Sequence, residues 1–230
     1  MNAETFLTPE FLCLSLVTRH STLDTQMKVA IIDYGVGNLR SVEKAFVATG
    51  CDAVVSGDER VLRAAERLVL PGVGAFAACM NELKRRGFDE LVRARVAEGA
   101  PLLGVCVGMQ MLFDESEEFG GGRGLGLLKG RVRRFDASLQ RVPQVGWNTI
   151  RQRRAHALFD GIEDDEHFYF VHSYFCVADD AESIIGETEY GEVYASVVVQ
   201  ENICGVQFHP EKSQAAGLRL LKNFAVQRTL

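Results

Sequence analysis

From residue 27 onward the chain alternates short apolar runs with longer amphipathic stretches. Val29-Ala30-Ile31-Ile32, Ala53-Val54-Val55, Arg67-Leu68-Val69-Leu70 and Leu102 to Val105 read as strands, because short continuous apolar runs suit strands covered on both faces. Between them, Leu39 to Thr49, Val61 to Glu66 and Ala75 to Gly99 read as helices, the last broken near Gly87. This alternation predicts an α/β fold with a mostly parallel central sheet flanked by helices. Ligands of such open sheets bind outside the carboxyl ends of the strands.

Past residue 115 the texture changes. Val142 to Ile150, Glu166 to Val177, Ile184 to Thr188, Val193 to Val199 and Ile203 to Phe208 form a β-rich second half that extends or flanks the sheet. Gly120-Gly121-Gly122-Arg123-Gly124 lacks the G-K-[ST] ending of a phosphate loop and reads as a flexible connection. Ser213 to Gln227 closes the chain as a helix capped by Ser213, with Leu218, Leu221, Phe224 and Ala225 on one face. Residues 27–230 make one domain, and residues 1–26 stand apart as an N-terminal extension. The apolar run Phe11 to Val17 is too short to span a membrane, and no basic region precedes it as a secretory signal requires. The extension reads either as a tail or as a start assigned too far upstream, with Met27 the first residue.

Composition narrows the choice of partner. A net charge of -6 in 230 residues argues against a nucleic acid or an acidic membrane held mainly by charge. The basic runs Lys129 to Arg134 and Arg151 to Arg154 read as solvated faces. Six cysteines are scattered without C-x-x-C spacing, a pattern that fits reduced thiols in a cytosol and no metal site. No cofactor is expected. Asp33-Tyr34-Gly35-Val36-Gly37-Asn38 follows the first strand but fails the dinucleotide fingerprint, since Arg40 stands where the third glycine belongs.

The sharpest local feature is Gly104-Val105-Cys106-Val107-Gly108-Met109-Gln110. A strand gives way there to a helix-like pattern, with Cys106 on the turn and a glycine two residues to either side. A nucleophile elbow needs small residues at those two positions so that the chain can double back. A cysteine at a helix start is also favoured as thiolate by the backbone dipole. The competing reading is a buried structural cysteine with two packing glycines.

A cysteine nucleophile needs a base and a group to orient that base. His209-Pro210-Glu211 supplies both types: the residue before proline is extended, and residues two apart in extended chain point the same way. Glu211 is then placed to hold the His209 ring facing Cys106. Pro71-Gly72-Val73-Gly74, after the third strand, can bring backbone close to the elbow. With the Val107 N–H it offers two oxyanion donors, each of the kind whose loss costs about 2.7–4 kcal/mol of barrier. Taken alone, Pro71 to Gly74 reads as an ordinary Pro-Gly turn.

These stretches together resemble the class I, triad-type glutamine amidotransferases. Ile32 to Asn38, Pro71 to Phe76, Val145-Gly146-Trp147-Asn148 and Tyr169 to Tyr174 narrow the likeness to the glutaminase subunits of imidazole glycerol phosphate synthases, from Met27 to about Arg228. Val107 replaces the leucine usual in that elbow, and its N–H is retained. The resemblance implies hydrolysis of glutamine through a Cys106 thioester, with His209 and Glu211 completing the triad. It implies Val73 and Val107 as oxyanion donors, and Gly72, Gly74, Gln110 and the His172-Ser173-Tyr174 backbone around the glutamine. It further implies ammonia delivery to a TIM-barrel cyclase in a heterodimer, with Asn38, Trp147, Tyr169 and Lys212 at the interface. Glutaminase activity of the free chain should be weak, because the Gly72–Val73 peptide must turn its N–H inward. Two other readings stay open: another triad glutaminase, and a catalytically silent subunit that keeps the fold.

Overall fold

The computed structural model describes residues 28–227, so the extension of residues 1–26, and Met27 with it, lie outside the described residues. The first half follows the alternation: β1 Lys28–Ile32, α1 Leu39–Ala48, β2 Asp52–Ser56, α2 Glu59–Ala64, β3 Arg67–Gly72, α3 Phe76–Arg85, α4 Phe88–Ala97, β4 Leu102–Cys106 and α5 Val107–Met111. Side chains at helical spacing seat these helices on the sheet, as with Phe76, Cys79, Met80 and Leu83 of α3. Gly87 takes a left-handed conformation (φ 70°) that separates α3 from α4. The second helix starts two residues earlier than its apolar pattern suggested, because the Asp58 side chain caps it through the Arg60 N–H at 2.9 Å.

The second half comprises β5 Glu115–Ser116, β6 Gly122–Arg123, β7 Gly130–Arg134, β8 Gln144–Gln152, β9 Glu166–His172, β10 Tyr174–Ala178, β11 Ile184–Tyr190, β12 Glu192–Gln200, β13 Ile203–Val206 and α6 Gln214–Val226. Along the sheet the strands run β2-β1-β3-β4-β13-β12-β10-β7-β5-β6. The first five pair in parallel, and β12 turns the direction by pairing antiparallel with β13. β8, β9 and β11 form an antiparallel layer joined to this sheet through β11 and β12. The core runs unbroken through both halves.

Four local expectations change. The run Glu166 to Val177 is two strands, not one: at Ser173 the chain leaves β8, where His172 opposes Gln144, and joins β7, where Tyr174 opposes Arg134. The basic run Lys129 to Arg134 conceals β7, because only Gly130 and Val132 turn fully inward while the arginines lie outward or at the rim. One of them, Arg133, pairs with Glu192 and covers the Phe175 ring. The glycine-dense stretch includes β6, which pairs with β5 as a small hairpin. Ser213 stands at the start of α6 but makes no side-chain cap; its hydroxyl donates to the His209 carbonyl instead. In α6, Leu221, Phe224 and Ala225 face inward as expected, joined by Leu220, while Leu218 sits at the rim.

The turn from β4 into α5 is the tightest point in the molecule. Cys106 adopts φ 56° and ψ -113°, a conformation L-residues rarely hold without surrounding constraint. A Cβ on Gly104 would lie 2.8 Å from Gly108 O and Met109 N, and one on Gly108 would lie 1.8 Å from Leu70 O. Both are backbone contacts, so neither can relax by moving a side chain.

Beneath β9 lies an aromatic cluster in which His172 packs against Phe135, Phe170 and Tyr194. Its Nδ1–H donates to Tyr174 O at 2.8 Å, and Nε2 lies 3.2 Å from the Tyr194 hydroxyl. Burial, with a smaller push from the His209 charge, pulls its pKa down to about 4.

Two outcomes follow from this packing. Gly108→Ala should destabilise by more than the ~1–3 kcal/mol of ordinary overpacking, read from urea unfolding, since Leu70 O blocks the added methyl. His172 should contribute about 3 kcal/mol of stability that is complete above about pH 6.5 and lost as pH falls toward 4, because the unfolded ring takes up a proton first. An NMR titration of the folded protein that found His172 protonating near 6.5 would refute the second.

Candidate active site

Three neighbouring parallel strands end side by side, and each delivers one part of the site. β3 and β4 are in register with Gly72 opposite Cys106, while β4 and β13 pair Val105 with Val206. Cys106 is the last residue of β4, His209 lies three residues past β13, and Val73 and Gly74 continue from β3. Open parallel sheets present ligands at this edge.

The base arrives by a different path from the one expected. β13 ends at Val206, and Glu211 lies in one turn of 3-10 helix, Pro210–Lys212, not in extended chain. Proline opens that turn because its fixed φ and missing N–H suit the first helical position. The turn folds Glu211 back so that its Oε1 lies 3.0 Å from His209 Nδ1. The expected pairing therefore forms, with both side chains almost fully buried. The second Glu211 oxygen is buried with no hydrogen-bond partner among the described residues.

His209 is held at its backbone as well as at its ring. Its N–H donates to Tyr169 O at 2.9 Å, the Ser213 hydroxyl donates to His209 O at 2.7 Å, and the Tyr169 N–H donates to Ser213 Oγ at 3.0 Å. The ring shares the cavity with Cys106 and feels the charge of the sulfur. Burial alone would lower the pKa of His209, but the bonds and charges of Cys106 and Glu211 outweigh it and raise it to about 10. The imidazole thus carries its proton at neutral pH, beside the sulfur.

A cavity of about 440 Å³ opens over Cys106 and His209. Of the residues expected around a substrate, Val73, Gly74, Val107, Gln110, His172, Ser173 and Tyr174 line it. Gly72 does not; it sits behind the lining, where a Cβ would touch the Gly108 nitrogen at 2.6 Å. The Gln110 amide donates inward to Tyr174 O at 2.9 Å and to Gln207 Oε1 at 3.2 Å, so its nitrogen is committed to the protein. His172 contributes backbone, its ring being engaged in the aromatic cluster.

Two residues here escaped the sequence reading. Gln207, fully buried, directs its amide nitrogen at Cys106 Sγ from 3.9 Å and links Gln110 to the sulfur. Glu118 lines the cavity, and its Oε2 accepts the Phe76 N–H at 2.6 Å, anchoring the carboxylate at the start of α3. Nothing in the local pattern around Glu118 distinguishes it from its acidic neighbours Glu115 and Glu117, and only the fold turns it inward.

The residues expected at a partner surface also gather at this edge. Trp147 and Tyr169 oppose each other across β8 and β9, with ring centroids 6.0 Å apart, and the Lys212 ammonium lies 5.6 Å from the Tyr169 ring centre. Trp147 is 47% exposed, so it is not a core aromatic. Asn38 reaches the residue before Lys212, its amide donating to Glu211 Oε1 at 3.5 Å.

A buried cysteine, a buried imidazole beside it and a carboxylate bonded to that imidazole, next to a polar cavity, are equipped for acyl transfer from an amide or ester. Residues 30–228 match the family described as glutamine amidotransferase class-I. A curated relative from Syntrophotalea carbinolica, named imidazole glycerol phosphate synthase subunit HisH, is 48% identical over 202 residues, covering 85% of this chain and 98% of its own. The protein of that name from Salinibacter ruber is 50% identical over 205 residues, covering 86% and 94%. Among solved structures, one described as a glutamine amidotransferase superposes with a TM-score of 0.68 at 22% identity, over 86% of this chain and 98% of that one. PurLQS from Thermotoga maritima gives 0.69 at 17% identity, over 86% and 97%. At these identities the structures speak for the fold, and the closer relatives speak for the lineage. The chain belongs to the class I glutamine amidotransferase family, and within it to the HisH group.

Proposed function

We propose that this chain is the glutaminase of an imidazole glycerol phosphate synthase, hydrolysing glutamine and handing the ammonia to a cyclase subunit in histidine biosynthesis. The observation that carries this is the convergence of Cys106, His209 and Glu211 at one end of β4 and β13, under a cavity fit for a small polar amide. The Cys106 thiolate attacks the side-chain carbonyl carbon of glutamine. The resulting oxyanion is met by the N–H groups of Val107 and Val73. His209 gives its proton to the departing nitrogen, the C–N bond breaks, and ammonia leaves a glutamyl thioester. The ring, now neutral, takes a proton from water as the water attacks the thioester. Glutamate departs, and the thiolate and imidazolium are restored. Glu211 favours the charged ring throughout.

The rest of the cavity fits the amino-acid end of the substrate. Glu118 offers its second carboxylate oxygen to an α-ammonium, and the Ser173 and Tyr174 backbone borders the chain. Lys212 lines the mouth. Ammonia in neutral water is mostly protonated and no longer nucleophilic, so it has to pass directly to its acceptor. The exposed apolar patch of Val145 and Trp147, with Tyr169 and Lys212 beside it, is the docking face for a TIM-barrel cyclase in a heterodimer. The enzyme works in the cytoplasm, where its five described cysteines, all free, stay reduced. Among the described residues no helix is long and apolar enough to cross a membrane.

Glutamate release should be measured for the chain alone, with the cyclase, and with the cyclase and its ribonucleotide substrate. Activity is expected to be weak in the first case and strong in the last, and Cys106→Ala should abolish it; retained activity in that variant sinks the mechanism. Glu118→Gln should raise KM for glutamine about 10- to 100-fold with a smaller change in kcat, as loss of a charge-assisted contact does. Glu211→Gln removes a group that raises the His209 pKa, so the alkaline limb of kcat/KM should move to lower pH. An unmoved limb would show that Glu211 does not set the charge of the ring.

A further inference from the structure

Where β3 ends and the chain leaves it, the segment Pro71 to Gly74 is gripped from behind by two buried side chains. The Tyr34 hydroxyl donates to Pro71 O at 2.7 Å, and the Cys79 thiol donates to Val73 O at 3.3 Å. Tyr34 lies in the loop after β1 and Cys79 in the first turn of α3; both are fully buried and interact with each other. Neither lines the cavity. Burial pushes the tyrosine hydroxyl far up and the thiol up as well, so each keeps the proton it donates at working pH.

The gripped carbonyls belong to the peptides 71–72 and 73–74. Between them lies the 72–73 peptide, which carries the Val73 N–H. A single peptide plane can rotate about the two bonds that flank it while its neighbours stay in place. Val73 itself does little to hold the segment, because its side chain is 37% exposed. On the other side, Pro71 and Gly72 pair with Val105 and Cys106 across the sheet, so any drift of the gripped ends would shift the N–H relative to the sulfur.

We propose that Tyr34 and Cys79 are positioning residues for the oxyanion hole. They pin both ends of Pro71 to Gly74, so that turning the Gly72–Val73 peptide alone aims the Val73 N–H at the developing charge. This rests on the glutaminase reaction proposed above, with Val73 as a donor. The two grips differ in strength, since a thiol is a weaker donor than a phenol. The Pro71 end is therefore the firm anchor and the Val73 end the one that yields slightly as the peptide turns.

The test is steady-state glutaminase activity of the complex with the cyclase and its ribonucleotide substrate, with thermal unfolding measured on each variant. Cys79→Ala and Tyr34→Phe should each lower kcat about tenfold while KM for glutamine stays within about twofold, because the loss falls on the transition state. Cys79→Ser, which keeps a donor, should recover kcat to within about threefold of wild type. A purely structural role predicts instead a lowered unfolding temperature with kcat intact. Unchanged kcat in Cys79→Ala and Tyr34→Phe overturns the inference, as does a joint change of kcat and KM or a failure of Cys79→Ser to rescue. If Cys79→Ala does not fold, Tyr34→Phe decides by the same kcat and KM criteria. Absence of glutaminase activity in the wild-type complex would overturn the reaction itself, and this inference with it, whereas a normal wild-type complex with indifferent variants would overturn only the inference.

Discussion

The hydrogen-bonded register of β3, β4 and β13 is the constraint on which the site depends. These strands are buried on both faces, and their pairing sets Gly72 beside Cys106 and Val105 beside Val206. A one-residue slip would turn every side chain to the opposite face and separate the thiol from its base. The register also forces the backbone crowding at the elbow. Leu70 O lies where a side chain on residue 108 would have to go, and the strain stored at Cys106 is held by strands that cannot move apart.

Around this frame the polar groups form a continuous chain. Tyr174 O, Gln110, Gln207 and Cys106 lie on one side, and Cys106, His209 and Glu211 on the other. Charge inside such a shielded site interacts more strongly than in water, which is why the His209 proton is retained despite burial. His172, chemically identical, is driven the opposite way because burial dominates there, with neither a cysteine nor a carboxylate beside its ring to outweigh it. Environment alone decides which of the two histidines is charged.

The His209 backbone is tied to the surface through Tyr169. Both its N–H and its carbonyl belong to the network holding His209, while its ring stands between Trp147 and Lys212 at the exposed edge. A partner resting on that edge would press on a residue one hydrogen bond from the base. The exposed edge and the His209 backbone are thus separated by a single residue.

Much of this was determined by the sequence alone. Apolar runs located β1, β3, β4 and β13, the glycine spacing around Cys106 located the elbow, and His209-Pro210-Glu211 supplied the base and its carboxylate, since each of these rests on neighbours within a few residues. The cues failed where the partner was distant. β7 hid within a basic run because only pairing with β10 makes Val132 internal, and Ser213 looked like a helix cap until Tyr169, 44 residues earlier, claimed its hydroxyl. Glu118 and Gln207 were likewise decided only by tertiary structure. An acid among acids and a polar residue after a strand carry no local mark, and it is the closing of the sheet around Cys106 that leaves one facing the cavity and the other facing the sulfur.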